Sequence, residues 1–175
     1  MNQTLKSKNI PLRHIKLSDA EFIFECEQDD EARKNFMSTP KNVAQVKKEL
    51  KEIINGMGKK RPHQESFAIE FDGQLVGHIW IDGMDSKYEG HRAEIGYMIH
   101  KNFRGKGIGT KAIKLVTDYA FKKYKLVRMA TVTRDFNIGS RKALEKSGYK
   151  LEGIMIKNKC KNGVYFNDCL YARVK

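Results

Sequence analysis

The sequence is poor in cysteine, proline and tryptophan, and the few cysteines already exclude two kinds of site. Its 175 residues include three cysteines, three prolines and a single tryptophan. The cysteines, at Cys26, Cys160 and Cys169, are odd in number and far apart. They therefore fit neither a disulfide framework nor a Cys-x-x-Cys zinc pair. We expect reduced thiols, as is usual for a cytoplasmic protein, and no metal site.

Long apolar runs are absent as well. No stretch approaches the ~18 consecutive apolar residues of a transmembrane helix. The first residues, Met1–Lys8, lack the apolar core of a secretory signal peptide. No linker rich in glycine, proline or serine divides the chain, and the apolar fraction of 40% is ordinary for a globular protein. We expect no membrane association and a single domain over residues 10–175, preceded by an N-terminal extension over residues 1–9.

Acidic residues are scarce in the C-terminal part of the chain. The net charge is +13, and residues 101–175 contain 19 basic and 5 acidic side chains, whereas residues 1–100 are almost neutral. A basic region of this size suggests an anionic ligand. It contains no nucleic-acid recognition motif, however, and no aromatic residues interleave with its basic loop. We therefore consider nucleic acid an unlikely partner, although solvated helix surface and an anion site both remain open interpretations.

Hydrophobic periodicity predicts a mixed fold. Period-two alternation predicts strands at 10–17, 66–71, 74–81, 91–100, 126–133, 150–156 and 164–174, with tight turns at Asp72-Gly73 and Asn162-Gly163. Helical spacing predicts helices after a capping box at Ser18–Glu21, after an N-cap at Thr39-Pro40, and at 107–124 and 137–147. This order indicates an α/β (α+β) domain with a mixed, mostly antiparallel sheet and helices on both faces.

The strongest chemical signal is a glycine-rich loop between a predicted strand and a predicted helix. It reads Arg104-Gly-Lys-Gly-Ile-Gly-Thr110, so its candidate ligands are Arg104, Gly105, Lys106, Gly107, Ile108, Gly109 and Thr110. Glycines let the backbone approach a ligand closely, and the following helix N-terminus offers free N–H groups to a phosphate. The spacing matches neither a Walker A loop nor the dinucleotide fingerprint. An ordinary glycine-rich turn is the alternative.

The loop and its surroundings resemble the GNAT superfamily of acetyl-CoA-dependent N-acetyltransferases. The family loop is Gln/Arg-x-x-Gly-x-Gly/Ala, and Arg104–Gly109 matches it. The segment Ala93–Ile99 resembles the strand before that loop, and Asn137–Tyr149 resembles the last helix of the family. The opening segment Leu12–Ala20 is similar to that of the ribosomal-protein N-terminal acetyltransferase (Rim-type) branch.

The resemblance implies a cosubstrate, acetyl-CoA, and a place for it. Its pantetheine arm would enter between two splayed strands and bind backbone groups around Met98, Ile99 and His100. The glycine loop would hold the pyrophosphate, and Asn137 would cap the following helix and contact the cosubstrate. The acceptor amine would attack directly in a ternary complex, and the expected acceptor is a protein or peptide N-terminus. A homodimer is compatible with the sequence.

Acid and base groups are less clearly marked. Deprotonating a lysine at pH 7 costs roughly 4–5 kcal/mol, against about 1 kcal/mol for an α-amine, so an N-terminal acceptor needs less help. Glu94, on the strand beside the expected thioester, is the preferred base, with His78 and His100 as alternatives. Many members of the family have a tyrosine that acts as a general acid where this chain has Leu144. Ser140 is therefore the candidate proton donor to the leaving thiolate, as the resemblance to Rim-type enzymes implies.

Three alternatives remain at this stage. The acceptor could be a small amine, such as a polyamine, an amino acid or an aminoglycoside-like compound. The chain could be a basic nucleic-acid-binding module. It could also be an acyl-CoA sensor without catalysis, since the tyrosine is missing.

Overall fold

A computed structural model describes residues 4–7, 10–86 and 89–175, which form a sheet flanked by helices. The strands are β1 (Thr4–Ser7), β2 (Ile10–His14), β3 (Gln64–Phe71), β4 (Gln74–Asp82), β5 (Arg92–Ile99), β6 (Arg128–Arg134), β7 (Lys150–Lys161) and β8 (Val164–Val174). The helices are α1 (Ala20–Gln28), α2 (Asp30–Asn35), α3 (Val43–Gly56), α4 (Ile108–Tyr124) and α5 (Ile138–Lys146). Short 3₁₀ turns lie at Leu17–Asp19 and Lys101–Phe103.

The sheet has the order β1-β2-β3-β4-β5-β6-β8-β7, and one pair of neighbours, β5 and β6, is parallel. That pair is joined only over three residues, from Arg92 opposite Arg128 to Glu94 opposite Ala130. Beyond Glu94 the two strands diverge. The sheet confirms the predicted mixed, mostly antiparallel fold, and the divergence opens a gap in its middle.

Helices cover both faces of the sheet, as predicted. On one face α4 and α5 enclose the main core, in which Phe67, Ile79, Ile113, Leu126 and Tyr171 are buried. On the other face α1 and α3 pack over a smaller core around Ile23, Val46, Leu50 and Ala68. The cores keep the sheet rigid on either side of the gap between β5 and β6.

Both predicted helices form, but their predicted caps are wrong. The carboxylate of Asp19 accepts hydrogen bonds from the Lys16 N–H (2.8 Å) and from the guanidinium of Arg13, so the capping pair is Lys16 and Asp19 and not Ser18 and Glu21. Helix α3 begins at Val43, and the Asn42 side chain caps it by accepting from the Gln45 N–H at 2.9 Å. Thr39-Pro40 therefore lies before the helix. At the first helix the capping carboxylate is held by Arg13, whereas the Asn42 cap is local.

Two elements fall outside the sequence prediction. Strand β1 lies within residues 1–9, the segment that the sequence assigned to an N-terminal extension, and it pairs with β2 to start the sheet. Helix α2 is too short for hydrophobic periodicity to reveal, and its cap is the Asp29 side chain, which accepts from the N–H groups of Glu31 and Ala32. Both predicted turns, at Asp72-Gly73 and Asn162-Gly163, adopt positive φ and join hairpins as expected.

A buried carboxylate stabilises the joint between β3 and α4. Glu65 is fully buried and accepts hydrogen bonds from His14 (2.8 Å), Lys123 (3.0 Å) and the hydroxyls of Tyr119 and Tyr124. Burial alone would raise the pKa of Glu65, but the bonds from His14, Tyr124 and Lys123 lower it to about 2. The folded state therefore favours the ionised form more strongly than the unfolded chain does.

We expect Glu65→Gln to lower the free energy of unfolding by about 3 kcal/mol at pH 7, because Lys123 keeps its charge without a counter-ion. The pKa of Glu65 is lowered in the folded protein, so its contribution is present above pH ~4.5 and is lost as the pH falls toward 2. Urea denaturation at pH 7 and pH 3 measures this, and the gap to the wild type should shrink at pH 3. Glu70→Gln, at a partly exposed partner of Arg13, is the control. An equal gap at both pH values would contradict the account.

Candidate active site

The divergence of β5 and β6 opens into a cleft of about 950 Å³. Its walls come from both strands, the loop before α4, the first turns of α4 and α5, and the segment around α2. Most of the predicted site residues line it: Glu94, Met98, Ile99, Arg104, Gly105, Gly107, Ile108, Gly109, Thr110, Asn137 and Ser140. His100 and Lys106 do not belong to its lining.

The backbone of β5 offers polar groups to the gap. The His100 N–H donates to the Val76 carbonyl on the β4 side at 2.9 Å, and the His91 carbonyl accepts from Val127 on the β6 side. Because backbone direction alternates along a strand, the N–H groups of Ile95, Tyr97 and Ile99 point toward the gap. Past Glu94 no β6 residue pairs with them. A bound chain could therefore take the place of the missing strand.

This geometry corrects the role expected for two residues. The His100 N–H is already bonded to Val76, and its ring lies outside the cleft, where Nε2 is 3.4 Å from a Glu25 oxygen. The Met98 backbone faces β4 by the same alternation, and its side chain is buried beside Cys26 and Ala32. Ile99 keeps its N–H toward the gap. The β5 N–H groups that face the gap are therefore those of the odd-numbered residues.

The glycine loop lies at one end of the cleft. Gly105 and Gly107 have φ of +76° and +74°, conformations that favour glycine, and they turn the chain into α4 at Ile108. The N–H groups of Ile108, Gly109 and Thr110 have no acceptor within the helix and lie at the positive end of its dipole. Together they form a cradle suited to a phosphate group.

Lysines surround this end of the cleft. Lys111, Lys142 and Lys146 line it, and none of them lies within 4.0 Å of a carboxylate oxygen in the described part of the chain. Lys106, predicted to add charge, is exposed, and its ammonium lies 5.0 Å from the Phe103 ring centroid. At the glycine-loop end, the lysines that line the cleft therefore come from α4 and α5.

Arg104 has a structural contact that the sequence did not reveal. Its guanidinium contacts Asp29 (2.5 Å) and Glu31 (2.6 Å), and its Nε donates to the Ile99 carbonyl at 2.9 Å. Burial would raise the pKa of Asp29, but the Ala32 N–H and the Arg104 guanidinium hold it below its ordinary value. The Arg104 side chain thus ties α2 to the glycine loop, and its charge is neutralised there.

Glu94 lies where the gap begins. Its side chain is exposed to the cleft, directly across from Asp82 on β4. No side chain that the structure describes hydrogen-bonds to its carboxylate. It is therefore available to accept a proton from a molecule in the cleft.

Ser140 lies in the first turn of α5, on the other side of the gap. Its N–H donates to the Asn137 side chain at 3.1 Å, which confirms Asn137 as the cap of this helix. Its Oγ accepts a hydrogen bond from the Tyr97 hydroxyl at 3.0 Å. Burial raises the pKa of Tyr97, so that hydroxyl stays protonated at neutral pH. Ser140 keeps its own hydroxyl proton free to donate into the cleft.

Tyr97 is a cleft residue that the sequence analysis did not single out. Leu144, where relatives have a tyrosine, is fully buried. Tyr97 brings a phenol to the same neighbourhood from β5 instead. Its odd-numbered position on β5, three residues after Glu94, places it on the opposite face of the strand. In the sequence, only this alternation along β5 could have indicated that Tyr97 and Glu94 lie on opposite faces.

The face of the sheet that carries Glu94 also carries an aromatic wall. The Trp80 indole lies over Gly96, its register partner, so closely that a Cβ at that position would fall 2.2 Å from Cζ2. On its other side the indole stacks on the buried His78, with ring centroids 4.9 Å apart. Burial lowers the pKa of His78 to about 4, so this ring is neutral and a poor alternative to Glu94 as a base.

The far end of the cleft contains a closed ion pair. Arg134 at the end of β6 bonds to Asp168 on β8, and both side chains are buried. Asn158 donates to the second Asp168 oxygen at 2.8 Å.

Within the described ranges, no helix could cross a bilayer and no group of His, Cys, Asp or Glu could hold a metal ion. The three cysteines are free thiols.

Comparisons with known proteins agree with this geometry. Residues 9–150 match the family model described as acetyltransferase (GNAT) domain. The probable N-acetyltransferase YjcK of Bacillus subtilis is 32% identical over 166 residues, which cover 92% of this chain and 91% of that one. The spermidine N(1)-acetyltransferase of Escherichia coli is 24% identical over 91% of this chain and 82% of its own.

Among solved structures, the ribosomal-protein α-N-acetyltransferase RimL in complex with coenzyme A superimposes with a TM-score of 0.85 at 17% identity. The match covers 98% of each chain, and at this identity it establishes the fold alone. The family model carries the assignment, because it spans most of the chain and includes the glycine loop. This chain therefore belongs to the GNAT family of acetyl-CoA-dependent N-acetyltransferases.

Proposed function

We propose that the protein transfers an acetyl group from acetyl-CoA to the α-amine of a protein or peptide N-terminus. The observation that carries this proposal is the alignment of three features along one cleft. A phosphate cradle occupies one end, unpaired β5 N–H groups line the middle, and the Glu94 carboxylate lies at the opening on the other face. We further propose a cytoplasmic enzyme, in keeping with its free thiols.

The residues present fit acetyl-CoA as a cosubstrate. It supplies an acetyl group already activated as a thioester. The N–H groups of Ile108 and Gly109 and the ammonium of Lys111 suit its phosphates. The gap-facing N–H groups of Tyr97 and Ile99 suit the amides of its extended arm, in the manner of an added strand. A gap-facing N–H of β5 would also stabilise negative charge on the acyl oxygen.

Glu94 is the proposed proton acceptor. An α-amine at pH 7 is largely protonated, and releasing its proton costs about 1 kcal/mol, whereas a lysine would cost roughly 4–5 kcal/mol. One carboxylate open to the cleft, acting directly or through water, suits the smaller task. Asp82 across the strand pair strengthens the negative potential that attracts an ammonium group.

Ser140 and Tyr97 form the proposed proton supply to the leaving thiolate. The Ser140 hydroxyl donates its proton into the gap, and Tyr97, already hydrogen-bonded to Ser140 Oγ, can replace it. Donor and acceptor thus stand on opposite faces of β5, with the gap between them. This arrangement favours catalysis over the alternative of an acyl-CoA sensor. Tyr97 also supplies a phenol near the position where relatives have a tyrosine and this chain has Leu144.

A small amine is the second candidate acceptor. The spermidine-acetylating relative supports it. The chain lacks the tyrosine that this branch carries, because Leu144 stands in its place. We therefore rank the N-terminal acceptor first.

The proposal is tested with acetyl-CoA and a panel of peptides, free amino acids and polyamines, with products identified by mass spectrometry. We expect acetylation at peptide α-amines, with kcat/KM at least about tenfold higher than for spermidine. An enzyme discriminates between substrates through contacts in its cleft, and this cleft should favour the peptide over the polyamine. Capped peptides with only a lysine amine are the control. Preferential acetylation of polyamines would move the assignment to the second candidate. Thiol release without any acetylated acceptor would refute both.

A further inference from the structure

The outer face of the α4–α5 layer carries more positive charge than the acetyltransferase site accounts for. Asp118 is the only acidic residue within α4, and Glu145 the only one within α5. The exposed lysines of this face are Lys111, Lys114, Lys122, Lys125, Lys142 and Lys146. We call these six side chains the lysine face. None of them lies within 4.0 Å of a carboxylate oxygen in the part of the chain that the structure describes.

The lysines of α4 form one stripe. Lys111, Lys114, Asp118 and Lys122 follow each other at three- and four-residue steps, which places them along one side of the helix. Lys125 is the first residue after the helix and adopts a left-handed conformation. At 1.5 Å per residue the stripe from Lys111 to Lys122 runs for about 17 Å. Its single acid is neutralised, because Arg173 bonds to Asp118 at 2.8 Å. The stripe therefore carries no uncompensated negative charge.

Acetyl-CoA accounts for only part of the lysine face. Lys111, Lys142 and Lys146 line the cleft, whereas Lys114, Lys122 and Lys125 do not. From Lys111 the stripe leads away from the phosphate cradle toward the far end of α4. A second anion could bind there while the cleft is filled.

The chemistry of this face fits a phosphate backbone better than a protein surface. Protein interfaces need an apolar core, and α4 exposes no large apolar side chain, while α5 exposes only Ile138 at its first position. Interfaces with nucleic acid are polar and strongly positive. The face lacks arginine forks and stacking aromatics, which predicts contacts to phosphates and not to bases.

We propose that the lysine face binds the phosphate backbone of a nucleic acid, without sequence preference and independently of acetyl transfer. The contact would hold the enzyme on a nucleic-acid-containing assembly while the cleft remains open to an acceptor. It would give a role to six of the 19 basic residues in residues 101–175. The inference does not depend on the identity of the acceptor.

The test measures binding of a labelled single-stranded RNA, and of DNA with the same sequence, by fluorescence anisotropy at several salt concentrations. With six lysines, log Kd should change with log salt at a slope of about 4. Saturating acetyl-CoA occupies the cleft end, so the slope should fall to about 2 while binding persists. Equal affinity for the RNA and the DNA indicates that the protein contacts the phosphate backbone common to both. Tighter binding of the RNA identifies RNA as the ligand.

Two triple variants change the net charge by the same amount at two different places on the surface. Lys114→Glu, Lys122→Glu and Lys125→Glu together should weaken binding at least about tenfold. Lys41→Glu, Lys48→Glu and Lys51→Glu, exposed around α3 on the opposite face, should weaken it less than about threefold. Both triple variants should keep wild-type acetyl transfer and melting temperature, which shows that they fold.

Three results would overturn the proposal. These are equal loss of affinity in both triple variants, complete displacement of nucleic acid by acetyl-CoA, and binding to phosphatidylserine vesicles without binding to either nucleic acid. Absence of binding at about 50 mM salt, where such contacts are strong, has the same consequence.

Discussion

Replacing Glu94 with glutamine is expected to lower kcat/KM for a peptide acceptor on the order of 100-fold at pH 7. The variant keeps the size of the side chain and the shape of the cleft, but it removes the carboxylate that would take the amine proton. Its remaining activity must then use amine that is already neutral in solution. Between pH 6 and 7.5 the variant's rate should rise about tenfold per pH unit, because the pKa of an α-amine is about 7.8.

The control for this result is Asp82→Asn, which removes the carboxylate directly across the strand pair. Asp82 stands one strand farther from the gap, with His63 3.3 Å away, so we expect a loss of less than about fivefold and an unchanged pH profile. Dissociation constants for acetyl-CoA should be the same in both variants and in the wild type. Equal losses in the two variants would show that the cleft needs negative charge in general and not a base at position 94.

Replacing Gly96 with alanine is expected to disturb both stability and catalysis. The new Cβ would fall 2.2 Å from Cζ2 and 2.3 Å from Cε2 of Trp80, so the indole or the strand must move. Overpacking of this kind costs about 1–3 kcal/mol of folding free energy. A displaced indole would narrow the acceptor side of the cleft, and we expect KM for the acceptor to rise about tenfold or more, while the dissociation constant for acetyl-CoA changes little.

A double-mutant cycle tests the cause. If the clash with Trp80 is responsible, Gly96→Ala should cost less than about 0.5 kcal/mol in a Trp80→Ala background, as measured by urea denaturation. Gly139→Ala in α5 is the control, since the nearest atom to a Cβ there is 3.8 Å away. Additive effects of the two substitutions would mean that the strand itself, and not the indole, requires glycine.

Features written in local sequence were predictable. The Asp72-Gly73 and Asn162-Gly163 turns need only residues that tolerate positive φ, and alternation marks the strands around them. The cradle is equally local, because Gly105 and Gly107 and the helix that follows are contiguous in the chain. Local conformation depends on neighbouring residues, so pattern and motif were enough to predict the glycine loop and the helix that follows it.

Features that depend on distant partners were not predictable. Arg104 looked like a phosphate ligand until Asp29 and Glu31, more than seventy residues earlier in sequence, were found beside it. His100 was predicted to offer its backbone to the pantetheine arm, but its N–H donates to the Val76 carbonyl instead. Asp19, and not Ser18, became a cap because Arg13 holds its carboxylate in place.

By itself the sequence determined the class of fold, the phosphate loop, the family resemblance and the candidate base Glu94. The tertiary structure alone decided which β5 groups face the gap, that Tyr97 reaches Ser140 from another strand, and that Trp80 occupies the space above Gly96. It also placed the six exposed lysines of the lysine face together on one helix layer. Local motifs depend on short-range sterics and hydrogen bonding, whereas a reactive site depends on distances between residues that the chain separates and the sheet brings together.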